Sequence, residues 1–152
     1  MNEVQNSNLK GLQSLSLYNI AFTVTDLEKS ISWYADILNF ILINKQDFEI
    51  PTGKAEVAML EGAGIKLELL KFPNAKRIEE LFAPAPMHLI PIGNKAIVFQ
   101  VDDIKTTSTE LEAKGAKFVW REQYIAADKM LCTMIEDIDG NKINIVQKDT
   151  TI

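Results

Sequence analysis

From residue 18 to residue 25 the apolar Ile20, Phe22 and Val24 alternate with Asn19, Ala21 and Thr23, the two-residue period of a strand with two unlike faces. The following Thr25-Asp26-Leu27-Glu28 has the spacing of a capping box, with Thr25 expected to cap a helix and Glu28 to reach back to it. Leu27, Ile31, Tyr34 and Leu38 recur at helical spacing, so the helix is predicted to run to about Asn39, a residue suited to a left-handed cap. A less regular strand is expected over residues 41–48. Residues 55–60 and 65–72 read as a hairpin around Glu61-Gly62-Ala63-Gly64.

The second half carries the same pattern. A strand over residues 96–101 leads into Asp102 and Asp103 at a helix start. Ile104, Thr107 and Leu111 share one face of that helix, and Gly115 stops it. Strands are predicted over residues 117–121, 130–136 and 142–146, the last two joined around Asp139-Gly140-Asn141, which favours a tight turn. At an offset of 77, Ile20, Phe22, Val24 and Asp26 fall on Ile97, Phe99, Val101 and Asp103. At an offset of 76, Gly64, Lys66, Leu67, Glu68 and Leu69 fall on Gly140, Lys142, Ile143, Asn144 and Ile145. A repeat of this period divides the chain into a loose N-terminal arm (1–15), a βαβββ module (16–73), a linker (74–92) with a helical turn or two around 77–82, a second βαβββ module (93–148) and a tail (149–152). The fold class is α+β.

Composition narrows the function classes. The 152 residues suit one domain or two small packed modules, and 47% hydrophobic with 24% charged residues is the mix of a globular protein. The longest uncharged stretch, residues 81–94, contains Pro84, Pro86 and Pro91, so no membrane partner is expected. A net charge of -5 argues against nucleic acid, which requires concentrated cations. Without a basic and apolar leader before the first patterned segment, the expected location is cytoplasmic. Cys132 is the lone cysteine and His88 the lone histidine, so neither an intrachain disulfide nor a cysteine- or histidine-rich metal centre can form. The segment 137–141 lacks the spacing of an EF-hand loop and reads as a hairpin turn. Gly-rich nucleotide loops and a Gly-x-Ser-x-Gly elbow are likewise missing from the sequence.

The run from Asn19 to Phe40 resembles the opening of the vicinal oxygen chelate superfamily, which includes glyoxalases, bleomycin-resistance proteins and extradiol dioxygenases. Val101-Asp-Asp-Ile-Lys, Ala113-Lys-Gly-Ala-Lys-Phe118 and the run from Asp137 to Val146 are similar to its second module. The resemblance spans residues 17–148 and implies paired βαβββ modules whose sheets curl into a cup, often completed by dimerisation. It does not name a substrate, because one fold hosts many chemistries. The superfamily's metal ligands, carried over by position, fall on Asn19, Glu68, Ala96 and Asn144. Only Glu68 offers an anionic oxygen, too little for a zinc, iron or nickel centre that draws on three or more His, Cys, Asp or Glu ligands. The expectation is therefore no metal and no other cofactor.

By strand alternation Lys66, Glu68 and Leu70, then Ala96, Val98 and Gln100, then Lys142, Asn144 and Val146 face the cup. Glu68 is the candidate catalytic base or ligand anchor; otherwise it is a carboxylate neutralised by Lys66, Lys142 or solvent. Asn19, Gln100 and Asn144 are candidate ligand-binding groups, or pair with one another or with water. Trp120, Arg121 and Tyr124 could form an aromatic wall with a cation for a planar or anionic ligand, or a dimer interface. Trp33 and Tyr34 read as core. Met130, Cys132 and Met134 alternate on one strand and either line a pocket or pack. His88, in the proline-rich linker, is either a lid acid–base group or inert. The reading is a homodimeric, metal-free protein binding a small, partly apolar organic molecule; the alternative is a glyoxalase-like lyase or isomerase using Glu68 as base or single metal ligand.

Overall fold

The computed structural model describes residues 10–125 and 130–148, so residues 1–9 of the expected arm and the whole expected tail lie outside the described residues. Within the described part of the arm, Gly11–Ser14 forms one exposed 3-10 turn. Module one runs β1 (Asn19–Thr23), α1 (Leu27–Leu38), β2 (Ile41–Ile50), β3 (Gly53–Gly62) and β4 (Ile65–Lys71). Module two runs β5 (Ala96–Val101), α2 (Ile104–Ala113), β6 (Lys117–Ile125), β7 (Met130–Glu136) and β8 (Lys142–Gln147). Each module closes a four-stranded mixed sheet, ordered β1-β4-β3-β2 and β5-β8-β7-β6. In each, the first strand pairs in parallel with the last, because the helix carries the chain back across the sheet. Between the modules, two short 3-10 turns lie in the linker, Glu79–Phe82 and Met87–Leu89.

The local signals act largely as their chemistry requires. Asn39 ends α1 at φ 60, and its amide donates to the Tyr34 carbonyl. Ala63 and Gly64 take φ of 51 and 74, the paired positive angles of the tight turn that twists with its hairpin. The helix start of module one differs from the capping-box expectation. Asp26 caps α1, accepting from the Lys29 amide at 3.0 Å. Thr25, expected in that role, turns its hydroxyl to Asp139 in the other module, and Glu28 pairs with Lys45. The longer contacts outbid the local ones because the Asp26 carboxylate already satisfies the helix end.

The helix-facing sides of the two sheets share one core. Leu27, Ile31 and Tyr34 of α1 meet Leu60, Leu67 and Leu69 of sheet one, and the same cluster continues into Ile104, Ile135 and Ile143 of module two. Burying each such side chain contributes roughly 1.5–3 kcal/mol before the entropy of ordering is counted. The ring of Phe40 lies against Phe99 across the module boundary, centroids 6.2 Å apart. Phe40 also sits on Gly62, where an added Cβ would lie 2.7 Å from the ring, so this close approach requires glycine. Polar groups fix the same boundary: the buried Tyr34 hydroxyl donates to Asp137 at 2.7 Å, and the Asp137 carboxylate also accepts from the amides of Asp139 and Asn141. Burial first, then the neighbouring charge of Asp137, pushes the Tyr34 phenol well above its ordinary range. Segment 137–141 is thus a hairpin turn that also fastens the modules together.

Candidate functional site

Because the helix sides are shared, the opposite face of each sheet points out of the common core. The superfamily positions accordingly gather as two pairs rather than one set of four. On sheet one, Asn19 and Glu68 lie side by side on β1 and β4, and the Asn19 amide nitrogen donates to the Glu68 carboxylate at 3.0 Å. Glu68 lines a groove of about 370 Å³ with Asn44, Gln46, Val57, Met59 and Leu70. Beside it, Lys66 rests over the Tyr18 ring, 4.8 Å from its centroid. On sheet two, Ala96 and Asn144 line a separate cavity, also about 370 Å³, beneath the linker.

The sheet-two cavity has the more elaborate walls. Val98, Trp120, Ile125 and Met134 supply its apolar surface, with Asn144 opposite Met134 in the β7–β8 register. The linker contributes Pro86, His88 and Leu89 to its lining, and Lys95 also lines it, donating to the Pro91 carbonyl. His88 is only 2% exposed. Burial, and then the positive charges of Lys142 and Lys95 against an opposing pull from Glu136, holds its imidazole below the ordinary histidine value. Lys142, 3% exposed, is compensated by Glu136, which also pairs with Lys117 at 2.7 Å. Burial favours the protonated form of Glu136, but its two lysine partners outweigh that effect and lower its pKa.

A bulge decides which of the β6 candidates reach the cavity. Trp120 stands opposite Met134 and Gln123 opposite Cys132, so three steps along β6 match two along β7. Glu122 takes φ 50 within this irregularity. Trp120 and Ile125 thereby face the cavity. Arg121 instead turns towards α2, where Glu112 receives it at 2.7 Å and Thr109 at 3.2 Å. Tyr124 pairs opposite Leu131 and is 75% exposed, so it lines neither outer-face pocket. Gln100 borders a third, open hollow beside Thr107 and Glu110, lined also by Phe40 and Ile97. Trp33 packs against the core and Tyr34 lies within it. Met134 lines the sheet-two cavity and Cys132 is buried, its thiol raised by burial.

Sequence reasoning left open whether His88 belongs to this pocket, which it lines. A residue in an unpatterned linker carries no periodicity that would mark its burial. The paired prolines flanking it were the sole hint of a fixed path.

The donor chemistry does not fit the metal of the superfamily's enzymes. Taken together in any assembly, Asn19, Glu68, Ala96 and Asn144 contain one carboxylate, and the Asn19 amide nitrogen faces it. No three His, Cys, Asp or Glu side chains gather among the described residues. No helix among them is long and apolar enough to cross a membrane.

Comparison with known proteins places this geometry in context. The family described as Glyoxalase/Bleomycin resistance protein/Dioxygenase superfamily matches residues 16–145. A probable lactoylglutathione lyase from Synechocystis sp. is 31% identical over 133 residues, covering 86% of this chain and 94% of that protein. The fold is similar to a glyoxalase family protein from Enterococcus faecalis, with TM-score 0.70 at 14% identity over 87% of this chain and 97% of that one. It is also similar to TnmS3, an antibiotic binding protein from Streptomyces sp. CB03234, with TM-score 0.56 at 21% identity over 90% of this chain and 98% of that one.

Proposed function

Because the chain belongs to the Glyoxalase/Bleomycin resistance protein/Dioxygenase superfamily, we propose that it binds a small, partly apolar organic molecule on the outer face of sheet two, without a metal ion. The observation that carries this reading is the pocket on sheet two, whose lining is mostly apolar with a few polar groups, the usual composition of a small-molecule site. TnmS3 lends the reading a precedent on the same fold. A second copy of the chain completes the cup. Among the described residues, strands β1 and β5 each leave one edge without a strand partner, and Tyr18, Val98 and Ile92 near those edges are exposed. An open edge with apolar flanks suits pairing between copies. Native mass spectrometry of the purified protein is expected to show a dimer and a co-purifying organic ligand. A monomer that retains no small molecule and binds none from an aromatic library would overturn the reading.

A second reading is favoured by the probable lactoylglutathione lyase among the relatives: a lyase or isomerase in which Glu68, aligned by Asn19, serves as base. Lactoylglutathione turnover assayed with and without added Zn²⁺ or Ni²⁺ separates the two. The binding reading expects no turnover above background. Turnover abolished in Glu68→Gln would establish the enzyme instead.

A further inference from the structure

Of the linker residues 74–92, His88 alone is buried, Phe82, Ala83, Ala85 and Pro91 are half-buried, and the rest are exposed. Its two 3-10 turns are closed by their own backbone: the Leu81 amide donates to the Ile78 carbonyl and the Leu89 amide to that of Pro86. Such bonds shape the segment without fixing its place on the protein. Among the described residues, a single hydrogen bond ties segment 77–90 to the rest of the chain, from Arg77 Nη1 to the Asp139 carbonyl at 2.7 Å. A segment with so few buried contacts belongs to the low-stability end of a structure, where opening is local rather than global.

What Arg77 grips is, by contrast, firmly held. Asp137 accepts from the buried Tyr34 hydroxyl and Asp139 from the Thr25 hydroxyl, so both carboxylates of the 137–141 turn are fastened to module one. The Arg77 guanidinium also lies over the Phe82 ring, 3.9 Å from its centroid, and its Nε pairs with Glu79 at 2.9 Å. Phe82 and Arg77 together lie against Gly140, where an added Cβ would be 3.3 Å from the ring and 3.5 Å from Arg77 Nη2. The matching glycine of module one, Gly64, has nothing within 4 Å of the same point. The clasp is therefore a property of the second turn and not of the repeat. Beyond it the chain runs to Pro86, His88 and Leu89, which line the sheet-two pocket. We propose that Arg77 is a positioning residue: with Phe82 it clasps the linker to the 137–141 turn, and release of this clasp opens the linker locally and exposes His88 beside the sheet-two pocket. This goes beyond the binding function proposed above and does not depend on it.

His88 is the only histidine of the chain, so its reaction with diethyl pyrocarbonate reports exposure at one site. The full chain without a histidine tag is labelled at about pH 7.5, where the imidazole is neutral and reactive, and modification of His88 is followed by peptide mass spectrometry. Arg77→Ala should raise the labelling rate about tenfold, the scale of one hydrogen bond from a charged donor. Phe82→Leu, which removes the ring but keeps an apolar side chain, should raise it severalfold. Gly62→Ala strains the β3–β4 hairpin of module one and lowers global stability, yet should leave the rate within about twofold of the parent. An unchanged rate in both Arg77→Ala and Phe82→Leu would overturn the proposal. An equal rise in Gly62→Ala would overturn it too, by tracing the exposure of His88 to global unfolding. Should Arg77→Ala fail to fold, Phe82→Leu set against Gly62→Ala decides the matter. No ligand enters the experiment, so its failure leaves the binding function standing.

Discussion

The two modules have the same strand order and a similar helix-facing surface, yet their outer faces differ. On sheet one, Glu68, Met59 and Leu70 border a groove without any linker residue, and the Asn19 amide nitrogen there bonds the Glu68 carboxylate. On sheet two, the equivalent face is bordered by the linker residues Pro86, His88 and Leu89, of which His88 is buried. The difference does not arise within the modules. It comes from the linker, which lies over one copy of the repeat and not the other. A duplicated scaffold can thus keep its packing rules on one face while a connecting segment makes the other faces unequal.

The largest expected effect tests the shared half of that comparison. Leu67 and Ile143 occupy matching positions on β4 and β8, and both are fully buried. Leu67→Ala and Ile143→Ala should each cost about 2–5 kcal/mol in urea unfolding, the range for truncating a large buried aliphatic side chain. A large loss at one position and a negligible loss at the other would show that the modules do not contribute alike to the common core.

A smaller effect sharpens the difference between the two hairpins. Asp137 and Glu61 match at the offset of 76, but Asp137 accepts from the buried Tyr34 hydroxyl while Glu61 is exposed on β3. Asp137→Ala should destabilise by roughly 1–3 kcal/mol, because it leaves that hydroxyl and two turn amides without their acceptor. Glu61→Ala should stay within about 0.5 kcal/mol of the parent. Equal losses in chemical denaturation would remove the special role of the 137–141 turn. Gly62→Ala, which drives a methyl group into the Phe40 ring, should cost about 1–3 kcal/mol.

The smallest effect concerns His88 in the linker. The folded state lowers the pKa of His88 below its ordinary value of 6.5, through burial and then through Lys142 and Lys95 against Glu136. The unfolded chain therefore binds this proton more readily. The contribution is fully present above the ordinary value and is lost as pH falls below it towards the lower folded value. The melting temperature should decline from pH 7.5 to pH 5.5, and His88→Gln should flatten that decline. An unchanged slope in the variant would mean that the linker packs without regard to the charge of the imidazole.

Much of this fold was legible in the sequence because its signals are local. The alternation at Ile20, Phe22 and Val24, the glycine turn at Ala63-Gly64 and the Asn39 helix end each act within a few residues, where stereochemistry leaves few options. The offset between the halves carried those signals across the chain and exposed the repeat. The site was less legible. Alternation placed Glu68 and Asn144 on outer faces, but two register shifts in β6, between Phe118 and Trp120 and between Trp120 and Gln123, upset the alternation there, and Arg121 went to α2 and Tyr124 to solvent. The same local logic predicted Thr25 as a helix cap, and an acceptor 114 residues away, Asp139, took its hydroxyl instead.

By itself, then, the sequence determined the two βαβββ units, which side chains each sheet turns inward, and that the four superfamily positions hold a single carboxylate. Those outcomes follow from backbone geometry and side-chain chemistry, which need no knowledge of distant neighbours. Only the tertiary structure decided that the helix sides fuse into one core, that the outer faces consequently gather two separate pairs, and that His88 is buried over one of them. Those are choices among contacts between segments far apart in sequence, and their free energies depend on what each surface meets rather than on how it is spaced along the chain.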